Sequence, residues 1–220
     1  MKKYNPELPT LIFDLDGTIV DNFRVNWKII YDKHMKKINK QIGSLDDFYE
    51  VLRENNLKDL FLKYKINPIS FLFDKIKLKK EFILTTQSVE LFPNTDSVLK
   101  DLSKDYNLII LSSAYKEVLK NFVKKFDLKD LFVEIVGGVS FFKKTSKIKK
   151  TIKKYSISLD NCIYIGDEVR DYLACEKIGL KCISVSYGFN SKRLLKEYND
   201  FIIDDICDLK KEIKKILNNK

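Results

Sequence analysis

A chain of 220 residues, 45% hydrophobic and 12% aromatic, can fill the core of one large domain or of a domain carrying an insertion. No apolar run approaches the roughly 18 residues of a membrane span, and no apolar leader follows the first lysines, which excludes a membrane-embedded chain and leaves a cytoplasmic protein as the expectation. The net charge of +10, from 41 Lys and Arg against 31 acids, is spread over many segments with no aromatic-interleaved basic strand, so it points to solvated helix faces and a general attraction for small anions rather than to a nucleic-acid surface.

The first strand-like run, 10–15, reads TLIFDL and ends against two carboxylates, Asp14 and Asp16, with Gly17 and Thr18 behind them. Side chains at i and i+2 of a strand share a face. The two acids are therefore expected side by side, where they repel unless a cation or some chemistry accounts for them. From about 22 to 88 the pattern is helical throughout, with helices expected over 24–38, 44–56, 57–65 and 69–82. That stretch is too long for an ordinary α/β connection. It predicts an inserted helical domain at 22–88, leaving a core domain at 1–21 and 89–220. Trp27, Tyr31, Phe48, Tyr49, Phe61, Phe71 and Phe73 are expected to form the core of the insertion. Asn22 and Arg24 lie nearest the two acids in sequence and lead its candidate substrate contacts, followed by Trp27, Lys28, His34 and Arg53. His34, the single histidine, sits among lysines and reads as an exposed residue.

Five further strand-like runs follow at 107–113, 132–138, 161–167, 181–188 and 201–204, several of them almost continuously apolar, as parallel strands buried on both faces are. Helical patterns fill the gaps at 94–106, 115–126, 146–157 and 169–180, with Asn94 or Thr95 as an N-cap and Gly179 as a C-cap. Strand–helix–strand alternation predicts an α/β fold with a doubly wound parallel sheet. Cys162, Cys175, Cys182 and Cys207 make no CxxC pair, and with one histidine they offer no zinc set, so all four read as reduced and structural.

Ligands of open α/β sheets bind at the carboxyl ends of the strands. That edge is expected to collect Asp14 and Asp16, then Ser112 and Ser113, then Asp167, Glu168 and Asp171, with Lys143 and Lys144 just before a helix. Crowded carboxylates with few nitrogens point to Mg²⁺. A divalent cation, a lysine and a hydroxyl together handle phosphate. One carboxylate can attack phosphorus and another, two residues on, can move protons.

DLDGT at 14–18, Ser112 after an apolar strand, a lysine before a helix, and GDEVRD at 166–171 resemble, in order and spacing, the four motifs of the haloacid dehalogenase (HAD) superfamily. The resemblance covers nearly the whole chain. The helical insertion resembles that superfamily's C1-type cap, over a Rossmann-like HAD core, and the phosphoglycolate phosphatase-like enzymes are the subgroup it looks most like. It implies a Mg²⁺-dependent phosphatase that hydrolyses a small phosphate monoester, phosphoglycolate-like or a sugar phosphate, through an aspartyl-phosphate intermediate. Asp14 would be the nucleophile and Asp16 the general acid/base. Asp14, Asp16 (through its carbonyl), Asp167 and Asp171 would serve the metal. Ser112 would hold the transferring phosphoryl group with Ser113 beside it, and Gly17 and Thr18 would complete the motif against the substrate. The third motif has neither the Gly nor the Pro common in relatives. Lys144 is chosen because Ile148 and Ile152 then face the core, and Lys143 is the alternative. An acid at position 16 has no use in dehalogenation and favours phosphoryl transfer. The rival readings are a phosphomutase of the β-phosphoglucomutase type and a catalytically silent binding module on the same fold. The expected partner is a small phosphorylated metabolite.

Overall fold

The computed structural model describes residues 1–32, 43–138 and 143–218. The apolar runs form strands β1 (Thr10–Phe13), β4 (Asn107–Leu111), β5 (Phe132–Val136), β6 (Cys162–Gly166), β7 (Lys181–Val185) and β8 (Ile202–Ile203). They make one parallel sheet in the order β5-β4-β1-β6-β7-β8, with β1 in the middle. Alternation along each strand supplies both faces. Leu11, Phe13, Leu108, Ile110, Ile163 and Ile165 pack against α6 (Thr95–Asp105), α7 (Lys116–Lys125) and α11 (Leu209–Asn218). Ile12, Ile109, Tyr164 and Cys182 pack against α8 (Lys144–Tyr155) and α9 (Val169–Glu176) on the other side. The short α10 (Lys192–Leu195) seats Leu194 and Leu195 on Val169. Each fully buried aliphatic side chain contributes about 1.5–3 kcal/mol, so the doubly wound sheet is the main source of stability.

Between β1 and α6 come five described helices: α1 (Phe23–Ile30), α2 (Leu45–Arg53), α3 (Leu57–Lys63), α4 (Pro68–Lys77) and α5 (Lys79–Thr85). They share a separate apolar cluster that includes Phe48, Leu52, Leu60 and Phe71. Polar caps set the starts of α2, α3 and α4. Ser44 and Asp47 make a reciprocal capping box, Asn56 accepts from the Asp59 amide, and Asn67 caps α4 ahead of Pro68 at its first turn. The helix expected over 69–82 is broken at Leu78, whose ψ of 9° lies off the helical region. His34 and the end of the helix expected over 24–38 lie outside the described residues. Phe73, expected in the core, is 61% exposed, because α4 turns that face outward together with Ile69 and Ile76.

Two further strands, β2 (Val20–Asp21) and β3 (Glu90–Leu91), pair antiparallel and bring the start and end of the helical segment together. β1 also stops at Phe13, earlier than the expected 10–15. Asp14 still donates its amide to Ile165 O at 2.8 Å, but the chain then turns, so Asp14 and Asp16 are not the same-face strand pair that their spacing suggests. All four cysteines are free thiols, with Cys207 exposed. Among the described residues no helix is long and apolar enough to cross a membrane.

Candidate functional site

The central strands β1, β4 and β6 end side by side, which delivers Asp14, Ser112 and Asp167 to one edge. α8 begins there with Lys144. Its ammonium is buried, 2.5 Å from Asp14 Oδ2, and also donates to Asp171 Oδ1. It lies 5.3 Å from the centre of the Tyr164 ring. Burial alone would lower the Lys144 pKa, but the Asp14 and Asp171 carboxylates outweigh it and raise the value, so the side chain is a fixed cation. Lys143, one residue earlier, is exposed. Asp14 is 2% exposed and accepts the Leu15 amide on Oδ1 at 2.6 Å.

Asp167 is held from both sides. Thr18 Oγ1 donates to Oδ1 at 3.0 Å, and the Phe189 amide donates to Oδ2 at 2.8 Å. The loops after β1 and β7 meet here so closely that side chains do not fit. Gly17 has φ +77°, and a Cβ on it would lie 1.9 Å from Asp167 Oδ2. A Cβ on Gly188 would lie 2.1 Å from the Gly17 carbonyl oxygen. Tyr187 adds a hydrogen bond from its hydroxyl to Thr18 O at 3.1 Å. The Tyr187–Phe189 loop is a part of the site that the sequence did not single out.

Asp14, Asp167 and Asp171 each bring a carboxylate oxygen within 4.8 Å of the others. Burial pushes the Asp167 carboxyl well above its ordinary pKa, and the charges of Glu168, Asp171 and Asp14 push it further. Burial also raises Asp171, to about 6, against the pull of Lys144. Of these three buried acids the Lys144 ammonium bonds two, Asp14 and Asp171. An all-oxygen set with unrelieved negative charge fits a small hard divalent cation, which would remove this penalty.

Asp16 stands apart from that cluster. Its Oδ1 accepts from the Asn22 amide, and burial raises its pKa, with Asp14 adding to the shift and Asn22 opposing it. Asp16, Gly17, Asn22 and Ser113 line a cleft between the sheet edge and helices α1, α4 and α5. Two basic residues that the sequence reading did not single out, Lys75 on α4 and Arg170 on α9, line it as well. Burial lowers the Lys75 pKa, and the Arg170 charge lowers it further. Arg170 clamps Glu168 through Nε at 2.7 Å and through Nη2. Nothing in the sequence sets Lys75 apart from the many solvated lysines, whereas Arg170 sits inside the GDEVRD motif.

The other expected contacts divide between the site and the surface. Ser112 is fully buried with Oγ accepting the Ala114 amide at 3.0 Å, and it is Ser113 that faces the cleft. The Thr18 hydroxyl is committed to Asp167, and Thr18 is not among the residues that line the cleft. Arg24, expected at the substrate, instead lies over the Tyr49 ring at 4.9 Å and reaches Asp46 at 3.4 Å, because its position on α1 faces outward. Lys28 pairs with Asp32 at the surface. Arg53 donates to Gly188 O at 2.6 Å and so ties α2 to the loop that holds Asp167. Trp27 does line the cleft.

A family model described as haloacid dehalogenase-like hydrolase matches residues 11–185. A phosphoglycolate phosphatase of Synechococcus elongatus is 23% identical over 212 residues, 96% of this chain and 99% of that protein. Among solved structures, a predicted phosphatase from Clostridium acetobutylicum superposes with a TM-score of 0.72 at 25% identity, covering 96% of this chain and 99% of that one. A hydrolase of the haloacid dehalogenase-like family from Streptococcus pneumoniae gives a TM-score of 0.63 at 20% identity, covering 93% and 97%.

Proposed function

The chain belongs to the haloacid dehalogenase-like hydrolase family, and on that footing we propose that it is a Mg²⁺-dependent phosphatase of small phosphate monoesters that works through an aspartyl-phosphate on Asp14. The observation that carries this is the buried Lys144 ammonium shared by Asp14 and Asp171 beside Asp167. It holds the Asp14 carboxylate in place at a strand end beside two further buried acids. The homologous phosphoglycolate phosphatases support the same reaction class.

Asp14 attacks phosphorus through a carboxylate oxygen, forming its P–O bond as the ester P–O bond breaks. Asp16, whose pKa burial raises, gives its proton to the departing oxygen. Water then attacks the phosphorus of the aspartyl-phosphate, Asp16 takes the water's proton, and phosphate leaves with Asp14 restored. Lys144 stays protonated throughout and offsets phosphoryl charge next to Asp14. Ser112 keeps a hydroxyl proton to donate to the phosphoryl group, and Ser113 faces the same space from the cleft. Asp14, Asp167, Asp171 and the Asp16 carbonyl would hold Mg²⁺. When bound it neutralises phosphoryl oxygens and lets the two anions approach.

Residues 22–88 act as a cap over this edge, excluding bulk water while the intermediate exists. A cytoplasmic location is part of this reading, and the four free thiols, which suit a reducing compartment, support it. The test is phosphate release from a panel of monoesters with Mg²⁺, with Asp14→Asn as control. Release lost in that variant supports the assignment, while isomerisation of a sugar phosphate without free phosphate would overturn hydrolysis.

A further inference from the structure

The cleft is lined unevenly. Its rim at the sheet edge is polar, with Asp16, Asn22, Lys75 and Ser113. Its depth, between α1, α5 and α7, is lined by Phe23, Trp27, Phe82, Val118, Phe122 and Phe189. In an ordinary core such residues cover one another. Phe23 and Trp27 do have partners, Phe189 at 5.2 and 5.5 Å between ring centres and Phe48 at 5.8 Å from Trp27, yet both stay only partly buried. Part of each ring therefore faces the cavity, which has a free volume of about 100 Å³.

Charge is distributed the same way. Both basic residues of the lining, Lys75 and Arg170, lie on the side of Asp16 and Glu168, where their charges interact with those acids. The polar side chains of the depth are neutral: Asn26, whose Oδ1 accepts from Thr85 Oγ1 at 3.4 Å, and Thr86, whose hydroxyl donates to Ile83 O at 2.7 Å. A second carboxylate or a polyol placed there would lose water without gaining a charged partner. An apolar group would instead remove aromatic surface from water.

We propose, resting on the phosphatase reading above, that the substrate is the phosphate monoester of an alcohol with a short apolar body, aliphatic or aromatic. The phosphoryl group sits at Asp14 and the apolar body lies against Trp27, Phe23 and Phe82. The depth of the cleft thus selects the leaving group by burial, and Trp27 is its main specificity-determining side chain.

The test is kcat/KM for phosphate release across n-alkyl phosphates from methyl to butyl, with phenyl phosphate, phosphoglycolate and a hexose phosphate for comparison. The expected rise is about fourfold per methylene, with phosphoglycolate and the hexose phosphate below butyl and phenyl phosphate. Trp27→Ala lowers the butyl-to-methyl ratio. Inhibition of the unaltered protein by n-alkylphosphonates follows the same order and keeps the test decisive if that variant fails to fold. Phosphate release with a flat or reversed series overturns the inference alone. Release from none of these esters overturns the phosphatase reading and the inference with it.

Discussion

Lys144 Nζ lies 2.5 Å from Asp14 Oδ2 while it also bonds Asp171, so one buried ammonium joins an acid at the end of β1 to an acid on α9. Removing it leaves Asp14 and Asp171 without their shared cation. Breaking a buried pair in this way costs about 3–5 kcal/mol. Lys144→Ala is expected to lower the melting temperature by that equivalent and to abolish measurable phosphate release. Thermal unfolding with a parallel activity assay reads both.

The same acids make stability depend on pH. Asp171 titrates at about 6 when folded, and Asp167 is also raised, above the ordinary carboxylate value. Both therefore bind protons more tightly in the folded chain than in the unfolded one. The stabilising contribution of Asp171 is complete below about pH 4 and is lost as pH rises through about 6, and that of Asp167 is lost in the same direction. A cation that binds the ionised acids should therefore raise the melting temperature more near pH 7.5 than near pH 5. Melts with Mg²⁺ and with a chelator at the two pH values check this, and equal shifts would contradict it.

Thr18 acts through Asp167. Its hydroxyl donates to Oδ1 at 3.0 Å from a fully buried position. Thr18→Val keeps the shape and removes the donor. Metal affinity is expected to fall about 10–100-fold, as when a hydrogen bond that orients a metal ligand is removed. Titration of the Mg²⁺ dependence of activity reads the change as a higher Mg²⁺ requirement.

Phe189 links two parts of the molecule. Its amide holds Asp167 at 2.8 Å, and its ring packs in the apolar cluster of the helical segment against Phe23 and Trp27. Phe189→Ala removes only the ring. A loss of about 3–5 kcal/mol is expected for a buried phenylalanine, together with a raised KM as the cleft wall loosens. Denaturant unfolding and steady-state kinetics measure the two effects separately.

Much of the fold was legible because parallel strands buried on both faces must be apolar on both, so 107–113, 161–167 and 181–188 stand out as runs around β4, β6 and β7. β2 and β3 were not legible, since two residues carry no periodicity. The end of β1 was read too late because Leu15 continues the apolar run, while the turn is set by Gly17 and the close approach of Gly188. Asp14, Asp167 and Lys144 could be placed by their positions at strand and helix ends. Lys75 and the Tyr187–Phe189 loop could not, because their role depends on which way a helix face and a loop turn in space. Arg24 shows the converse: it is close to Asp16 in sequence, yet α1 points it away.

The most direct test of the central claim is to trap the intermediate. The protein is mixed with Mg²⁺ and a phosphomonoester that it hydrolyses, quenched in acid within a single turnover, digested and weighed by mass spectrometry. One added phosphoryl group on the peptide bearing Asp14, absent from Asp14→Asn along with phosphate release, is the predicted result. Release that persists in Asp14→Asn, or a phosphoryl group found on another residue, would contradict it.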